Sequence, residues 1–272
     1  GTSPGLAALI FSGFVAGDML LNGYYDAAAT ERRKGAAREI YERYFNALQE
    51  LSEAAASGNL TVANTLFQVA NGRLFGVGHL LRKAAAEYAS VKVRRPVPTV
   101  SVVGQIDDTR GFGDQVNTAV QRRIQNYLYN IMARTLGWPA PTTVKQSIHA
   151  AGPYMREALT GEAVLTIGGP VHEWREGEID GMISVGPLEC MPNKISEAQM
   201  FHVAENEGLP SLTLSLNGDP VDPEILDNFA FEVKEGFRKG RRPEKVRRRT
   251  VPAGMRFIQP LARTAGFFRQ KD

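Results

Sequence analysis

The sequence predicts a mixed α/β fold, in which a mainly parallel sheet with flanking helices follows a helical region. Strong helix formers dominate the N-terminal third of the 272 residues, and short β-branched runs then alternate with helical stretches through residues 99–218. Strands that alternate with helices form parallel sheets, because each helix carries the chain back across the sheet. We therefore expect a helical region over 1–95, an α/β domain over 96–233 and a basic irregular tail over 234–272.

The helical region is predicted from composition and spacing. Residues 26–56 are rich in alanine, glutamate and arginine, and apolar residues recur there every three or four positions, as in an amphipathic helix. These apolar residues are Ile40, Tyr44, Ala47, Leu48 and Leu51. A second helical stretch covers 62–91, where interior glycines weaken the prediction. His79 lies among apolar residues of this stretch, so a packed or surface histidine is favoured over a metal ligand.

Two prolines mark the boundary between the helical region and the α/β domain. Pro96 and Pro98 stop a helix and favour extended backbone. The residues that follow, 99–106, are apolar and β-branched enough for a buried strand. A glycine-containing loop over 104–114 comes next, and a helical stretch over 116–136 completes this unit of strand, loop and helix.

The loop over 104–114 is a candidate ligand site. Its glycines permit a tight turn, and its charged residues supply polar groups; together they are Gly104, Asp107, Asp108, Arg110, Gly111, Gly113 and Asp114. A loop between a strand and a helix lies at the carboxyl edge of a sheet, where open α/β folds usually bind ligands. It matches neither the dinucleotide-binding glycine pattern nor the phosphate-binding loop of ATPases, so a turn with solvated acids is the favoured interpretation.

Two later runs, 163–169 and 180–186, are predicted as short strands. A helix over 194–208 follows and ends at Gly208, and the run over 209–219 contains a third strand. The only cysteine of the chain, Cys190, then lies in a loop between a strand end and a helix start. The positive field of a helix N-terminus stabilises a thiolate, which makes metal ligation or reactivity possible there.

The residues alone leave the role of Cys190 open. Cysteine is among the most buried residue types, and one thiol does not make a metal site, so a packed small residue is an equal alternative. A nucleophilic cysteine would need a histidine base. His172 lies in what reads as a charged turn and His202 on a helix face, which disfavours a cysteine hydrolase.

A single cysteine and the hydropathy pattern indicate a cytoplasmic chain. One thiol cannot form an internal disulfide, which secreted domains commonly use. We find no signal peptide pattern and expect no run that reaches the roughly 18–20 apolar residues of a membrane span. The net charge of +3 includes a cationic stretch over 237–249.

Three runs in the second half of the chain resemble a known family. GEAVLTIGG (161–169), EIDGMISVGPLECMPNKISEAQ (178–199) and EGLPSLTLSLNGDPVDPEILDNFAFEV (207–233) resemble the C-terminal part of the 2-hydroxyacyl-CoA dehydratase and benzoyl-CoA reductase family, in particular its long activase-related members. Two upstream stretches, 24–45 and 97–106, resemble it more thinly. The resemblance implies Rossmann-like lobes with a 4Fe–4S cluster held by cysteines, electrons from an ATP-hydrolysing activator and acyl-CoA substrates.

The resemblance makes Cys190 the last of the cluster ligands, because it lies in the PLECMP segment. Soft thiolate sulfur suits iron–sulfur chemistry. One cysteine cannot hold a cluster alone, so the chain is expected to be a fragment or subunit of a larger assembly, or a partner donates the missing ligands. Whether the chain is itself an enzyme is left open.

Two alternatives remain beside the iron–sulfur component. In the first, the cluster has been lost and the same fold serves as a non-catalytic binding or scaffold subunit. In the second, the cationic stretch over 237–249 binds nucleic acid, because clustered lysine and arginine neutralise phosphates. This second alternative is the weaker one, since no interleaved aromatic residues or nucleic-acid motif accompany the charge.

Overall fold

The computed structural model describes residues 4–58, 60–93, 95–103, 112–157 (the backbone alone for 112–119), 159, 162–241 and 243, which form two compact units. The helical unit contains α1 (Pro4–Ala28), α2 (Ala36–Ala56), α3 (Val62–Ala70), a 3-10 turn (Leu74–Gly76), α4 (Val77–Val91) and α5 (Phe112–Leu136). The α/β unit contains β1 (Val100–Val103), α6 (Val144–Ala151), α7 (Ala163–Arg175), β2 (Gly181–Pro187), α8 (Met191–Glu207), β3 (Ser211–Leu216) and α9 (Pro223–Arg238). The predicted α/β fold with a parallel sheet and flanking helices is confirmed.

The core of the helical unit contains buried side chains from α1, α4 and α5. Leu20, Tyr88, Leu128 and Met132 have no exposed surface. The Tyr88 hydroxyl donates to the Leu20 carbonyl oxygen over 3.0 Å, which satisfies the polar end of this buried ring. α5 follows β1 in the sequence and packs on α1 and α4 of this unit.

The helix predicted over 26–56 is wrong in its first part, because the chain turns between α1 and α2. Gly35 has a φ of 89°, a left-handed conformation that ends the preceding segment. The Glu31 carboxylate accepts hydrogen bonds from the backbone N–H groups of Gly35 (2.6 Å) and Ala37 (2.8 Å). These two donors, Ala37 first, hold the pKa of Glu31 below its usual value. The side chain thus stabilises the start of α2.

The stretch predicted as helical over 62–91 is interrupted as well. α3 ends at Ala70, and the chain then passes through left-handed residues before α4 begins at Val77. These residues are Gly72, Leu74, Phe75 and Gly76, with φ angles of 64°, 45°, 57° and 93°. The interior glycines that weakened the prediction lie at the interruption.

The expectation that no segment is long and apolar enough for a membrane span was wrong. Residues Gly5–Ala28 form a helix of 24 residues with a mean hydropathy of 1.5 over an 18-residue window, of which 39% is buried inside the structure. Ala16 and Leu20, on its inner face, have no exposed surface. One such helix is weak evidence for a membrane span, because core helices and signal sequences share its length and composition.

The sheet of the α/β unit has the strand order β1, β2, β3, and both pairs are parallel. Val100 lies opposite Gly181 in the first pair, and Met182 lies opposite Ser211 in the second. The strands predicted over 99–106, 180–186 and 209–219 are therefore confirmed in their central parts. Residues 104–111, which include most of the candidate loop, lie outside the described residues; Gly113 and Asp114 fall within the first turn of α5.

The strand predicted over 163–169 is wrong, because these residues begin α7. Ile167 and Val171 have no exposed surface and fill the core of the α/β unit. Gly168 lies directly against the backbone of α6 at Ser147. Close helix packing thus decides the conformation of a β-branched segment. His172, predicted in a charged turn, also lies in α7.

The helix predicted over 194–208 is confirmed, and it begins earlier than expected. α8 runs from Met191 to Glu207 and ends at Gly208, whose φ of 73° forms a left-handed cap. α9 starts after Asp222, whose side chain accepts from the Glu224 N–H, and continues to Arg238. The first residues predicted as irregular tail are therefore helical. Residues 242 and 244–272 lie outside the described residues.

We expect Glu173→Gln to raise the free energy of unfolding at neutral pH. Glu173 lies partly buried on α7, and burial raises the pKa of its carboxyl group, opposed by hydrogen bonds from Ser101 and Thr142. Above that raised pKa the folded protein carries a poorly solvated charge, which glutamine removes. Below the usual glutamate pKa both states are protonated, so the advantage of the variant disappears as the pH falls.

Urea denaturation of the variant and the native protein at several pH values between neutral and acid measures this difference. The matched control is Glu232→Gln, an exposed carboxyl group on α9, for which we expect no gain at neutral pH. A gain for Glu173→Gln that persists unchanged into acid would contradict the explanation from burial.

Candidate functional site: the Cys190 loop

The Cys190 loop, residues 188–190, connects the carboxyl end of the central strand β2 to the start of α8. Cys190 is the residue that caps α8, and its backbone N–H donates to the Pro187 carbonyl oxygen over 3.1 Å. Its own carbonyl oxygen accepts from the Lys194 N–H over 2.9 Å, which forms the first turn of the helix. The predicted position of the thiol between a strand end and a helix start is confirmed.

The backbone of this loop is held in a fixed and strained conformation. Glu189 has a φ of 61°, a left-handed conformation that L residues adopt at a cost on the order of 1 kcal/mol. The Leu188 N–H donates to the Leu216 carbonyl oxygen at the end of β3 over 3.0 Å. Cys190 is half-buried between two exposed apolar side chains, Leu188 (54% exposed) and Met191 (69% exposed). The chain around Cys190 therefore carries exposed apolar side chains.

Beneath the loop, Asn193 connects α8 to β2. Its Oδ1 accepts from the Ser184 hydroxyl over 2.7 Å, and the residue is 3% exposed. Gly186 makes room for it, because a Cβ at that glycine would lie 2.7 Å from the Asn193 Cγ. Within the described part of the chain the Asn193 Nδ2 has no hydrogen-bond partner. An unsatisfied buried donor costs about 1–3 kcal/mol, so Asn193 is held between α8 and β2 at a cost in stability.

The start of α8 is electropositive. The Cys190 side chain makes no capping hydrogen bond, and Pro192 contributes no N–H to the first turn. The helix has 17 residues, and its aligned peptide dipoles favour negative charge at this end. An anionic acceptor suits this end of the helix.

A complete iron–sulfur ligand set does not fit the residues present, whereas a single ligand does. Cys190 is the only cysteine of the chain. Across the residues that the structure describes, no three histidine, cysteine, aspartate or glutamate side chains lie close enough together to hold a metal ion. A 4Fe–4S cluster takes about four thiolate ligands, so this chain offers one of them and the others would have to come from elsewhere.

The histidine on the same helix as Cys190 lies far from it. His202 is exposed on α8, twelve positions further along, which corresponds to about 18 Å of helix rise and excludes it as a base for the thiol. Its Nδ1 lies 3.8 Å from a Glu205 carboxylate oxygen. His79 is exposed on α4 of the helical unit. Asn193 was not identified as a candidate from the sequence. A polar asparagine in the first turn of a helix, where it can orient neighbouring groups, is the signal that could have indicated it.

Comparison with known proteins adds no relative to these observations. No family model, curated protein or solved structure matches the chain.

Proposed function

We propose that the chain is a component of an iron–sulfur-dependent reductive system of the 2-hydroxyacyl-CoA dehydratase or activase type. In this proposal Cys190 supplies one ligand of a 4Fe–4S cluster that another chain or segment completes. The observation that carries it is the position of the half-buried thiol at the start of α8, beside the carboxyl end of the central parallel strand. A Rossmann-like arrangement of the α/β unit and a cytoplasmic location belong to the same proposal.

The physical case rests on what the residues near Cys190 can hold. Cys190 offers soft sulfur, which is the preferred ligand of iron in clusters. The buried Asn193, whose Oδ1 accepts from the Ser184 hydroxyl, ties the first turn of α8 to β2. When bound, such a cluster supplies low-potential electron transfer, and hydrogen bonds to its sulfurs tune the potential. The strained turn at Glu189 holds the ligand in place.

The proposal requires a partner, because this chain supplies one cysteine. Leu188 and Met191, close to Cys190 in the chain, are exposed apolar side chains of the kind found at protein interfaces. By resemblance, the assembly would include an ATP-hydrolysing activator and act on acyl-CoA substrates.

The alternative is a binding or scaffold subunit on the same fold without a cluster. The single cysteine favours it, because Cys190 would then be a packed residue at a helix start. Nucleic-acid binding through the cationic stretch over 237–249 is a weaker form of this alternative, and most of that stretch lies outside the described residues.

We expect Cys190→Ser to lower the iron and sulfide content of the assembly several-fold. Serine is nearly isosteric with cysteine but is a poor ligand for iron, so the fold should change in stability by no more than about 1–2 kcal/mol. The measurement is iron and acid-labile sulfide in the tagged complex, isolated anaerobically, with circular dichroism to check the fold.

The matched control is Met191→Leu, which alters an exposed neighbour of the thiol and leaves the ligand in place. We expect it to retain the iron and sulfide of the native complex. Iron absent from every preparation of the native complex, or equal iron in native and Cys190→Ser complexes, would overturn the cluster proposal in favour of the scaffold.

A further inference from the structure

A cavity of about 530 Å³ opens in the helical unit, among the end of α2, α3, the 3-10 turn, α4 and α5. Its lining includes the guanidinium groups of Arg73, before α4, and of Arg82, on α4, the His79 imidazole and the Tyr127 hydroxyl on α5. Phe75 contributes an apolar wall. The volume is in the range of sites for small organic ligands.

The charges that line this cavity are all positive. Among the described lining residues none is acidic. The Arg82 Nη2 donates to the Tyr127 hydroxyl over 2.6 Å, which is a neutral partner, and the Arg73 guanidinium lies 5.5 Å from the centre of the Phe67 ring. Neither arginine has a carboxylate partner within the described part of the chain, in contrast to three arginines of the same unit that each form an ion pair with a glutamate: Arg33, Arg38 and Arg43.

Two exposed guanidinium groups, neither of which has a carboxylate partner in the described part of the chain, create a positive potential at one concavity that attracts anions. The planar donors of arginine match the oxygens of phosphate and carboxylate groups, and such charge-assisted hydrogen bonds are stronger than neutral ones. A dianion balances two guanidinium groups better than a monoanion does. The charge of the cavity therefore favours a phosphate ester over a simple carboxylate.

The backbone beside Arg73 is strained, as is common at binding sites. Leu74 and Phe75 have φ angles of 45° and 57°, which L residues rarely adopt. The Phe75 N–H donates to the Gln68 side-chain oxygen over 3.2 Å, which holds the turn. Gly72 packs so closely on Tyr127 that a Cβ there would lie 2.6 Å from the phenol oxygen. The turn thus fixes Arg73 and Phe75 relative to Tyr127.

We propose that this cavity binds a small phosphorylated organic molecule. Its phosphate group lies between Arg73 and Arg82, and its apolar part packs against Phe75. The proposal goes beyond the function assigned to the Cys190 loop and does not depend on it.

The probes are phenyl phosphate, inorganic phosphate and benzoate, titrated into the full chain by calorimetry at low ionic strength. We expect phenyl phosphate to bind most tightly, because it alone has both a dianionic group and an apolar ring. Arg82→Gln and Arg73→Gln should each weaken its binding at least about tenfold, since each removes a charge-assisted hydrogen bond. Added salt should weaken it as well.

The matched control is Arg38→Gln, which removes an exposed arginine paired with Glu42 and should leave the affinity unchanged. Circular dichroism establishes that each variant is folded, and Arg82→Lys, which keeps the charge but not the planar fork, should retain part of the affinity. Absence of phenyl phosphate binding to the native chain, benzoate binding as tight as phenyl phosphate binding, or an equal loss in Arg38→Gln would overturn the proposal.

Discussion

Gly168→Ala is expected to lower the free energy of unfolding of the α/β unit by roughly 3 kcal/mol or more. A Cβ at Gly168 would lie 2.5 Å from the Ser147 carbonyl carbon and 3.0 Å from its Cα, and closer still to the carbonyl oxygen. These atoms belong to the backbone of α6, which cannot rotate away as a flexible side chain would. α6 and α7 must therefore move apart to admit a single methyl group, and the core around Ile167 loses its packing.

The adjacent glycine provides the control for this prediction. Apart from its chain neighbours, a Cβ at Gly169 would approach only the Ser147 hydroxyl, at 3.8 Å, which is ordinary contact. Alanine is a better helix former than glycine by up to about 1 kcal/mol, but Pro170 follows, and a Cβ before proline is disfavoured in a helix. The two effects oppose each other, so Gly169→Ala should change the stability by no more than about 1 kcal/mol, well below the loss at Gly168. Equal losses for the two variants would show that the contact with α6 is not the cause.

Fluorescence can report the α/β unit alone in these measurements. The chain has two tryptophans, of which Trp174 is buried in the α/β unit and Trp138 belongs to the helical unit. Urea denaturation in a Trp138→Phe background therefore follows Trp174. This separation matters because a chain with two units need not unfold in one step.

Glu207→Ala is expected to lower the free energy of unfolding of the same unit by roughly 2–3 kcal/mol. The Glu207 carboxylate, 15% exposed, accepts from Arg175 Nε (2.9 Å), Arg175 Nη2 (2.5 Å) and the Tyr154 hydroxyl (2.5 Å). Alanine would leave the guanidinium and the phenol without their acceptor. Because the Arg175 side chain is 39% exposed, water replaces part of the loss, and the estimate stays below that for a fully buried pair.

Two further variants separate the charge network from general effects on α8. Glu207→Gln keeps an acceptor for Tyr154 and loses the charge, so its loss should be smaller than that of Glu207→Ala. Glu197→Ala removes an ion pair with Lys194 that is more exposed, and it should cost no more than about 1 kcal/mol. If Glu207→Ala costs no more than Glu197→Ala in urea denaturation, the network does not stabilise the unit.

The parts of the fold that local signals determine were predictable. The runs around Val100, Ile183 and Leu214 are β-branched or apolar and bounded by turn residues, and each forms a strand of the parallel sheet. Gly208 ends α8 because glycine adopts the left-handed conformation without a steric cost. The strand signal before Cys190 and the helical pattern after it together place this residue between β2 and α8.

Contacts between distant residues decided the parts that were not predictable. A short apolar run does not distinguish a buried helix from a buried strand, and the segment 163–169 was predicted as a strand. Its helical conformation depends on the close contact of Gly168 with Ser147 of α6. The turn before α2 depends on the Glu31 carboxylate, which no helix propensity describes. The expectation that no segment is long and apolar enough to span a membrane was wrong, because residues 5–28 form one apolar helix that is only partly buried.

The environment of Asn193 and the cationic cavity could not be predicted from the sequence for the same reason. The unsatisfied donor of Asn193 exists because Gly186 on β2 lets the side chain fold inward. The cationic cavity joins Arg82 to Tyr127, 45 residues away, and rests on left-handed residues at Leu74 and Phe75 that no sequence rule for L residues indicates.

The interleaving of the two units determines the order in which a nascent chain can complete them. As the ribosome releases the protein, α1 to α4 emerge first, but Ile124, Leu128 and Met132 of α5, which fill their core, follow only after β1. β1 pairs with β2, whose first residue, Gly181, is synthesised only after α5. An early strand thus spends a long part of synthesis with unpaired edges, which is when exposed strands are most prone to aggregate.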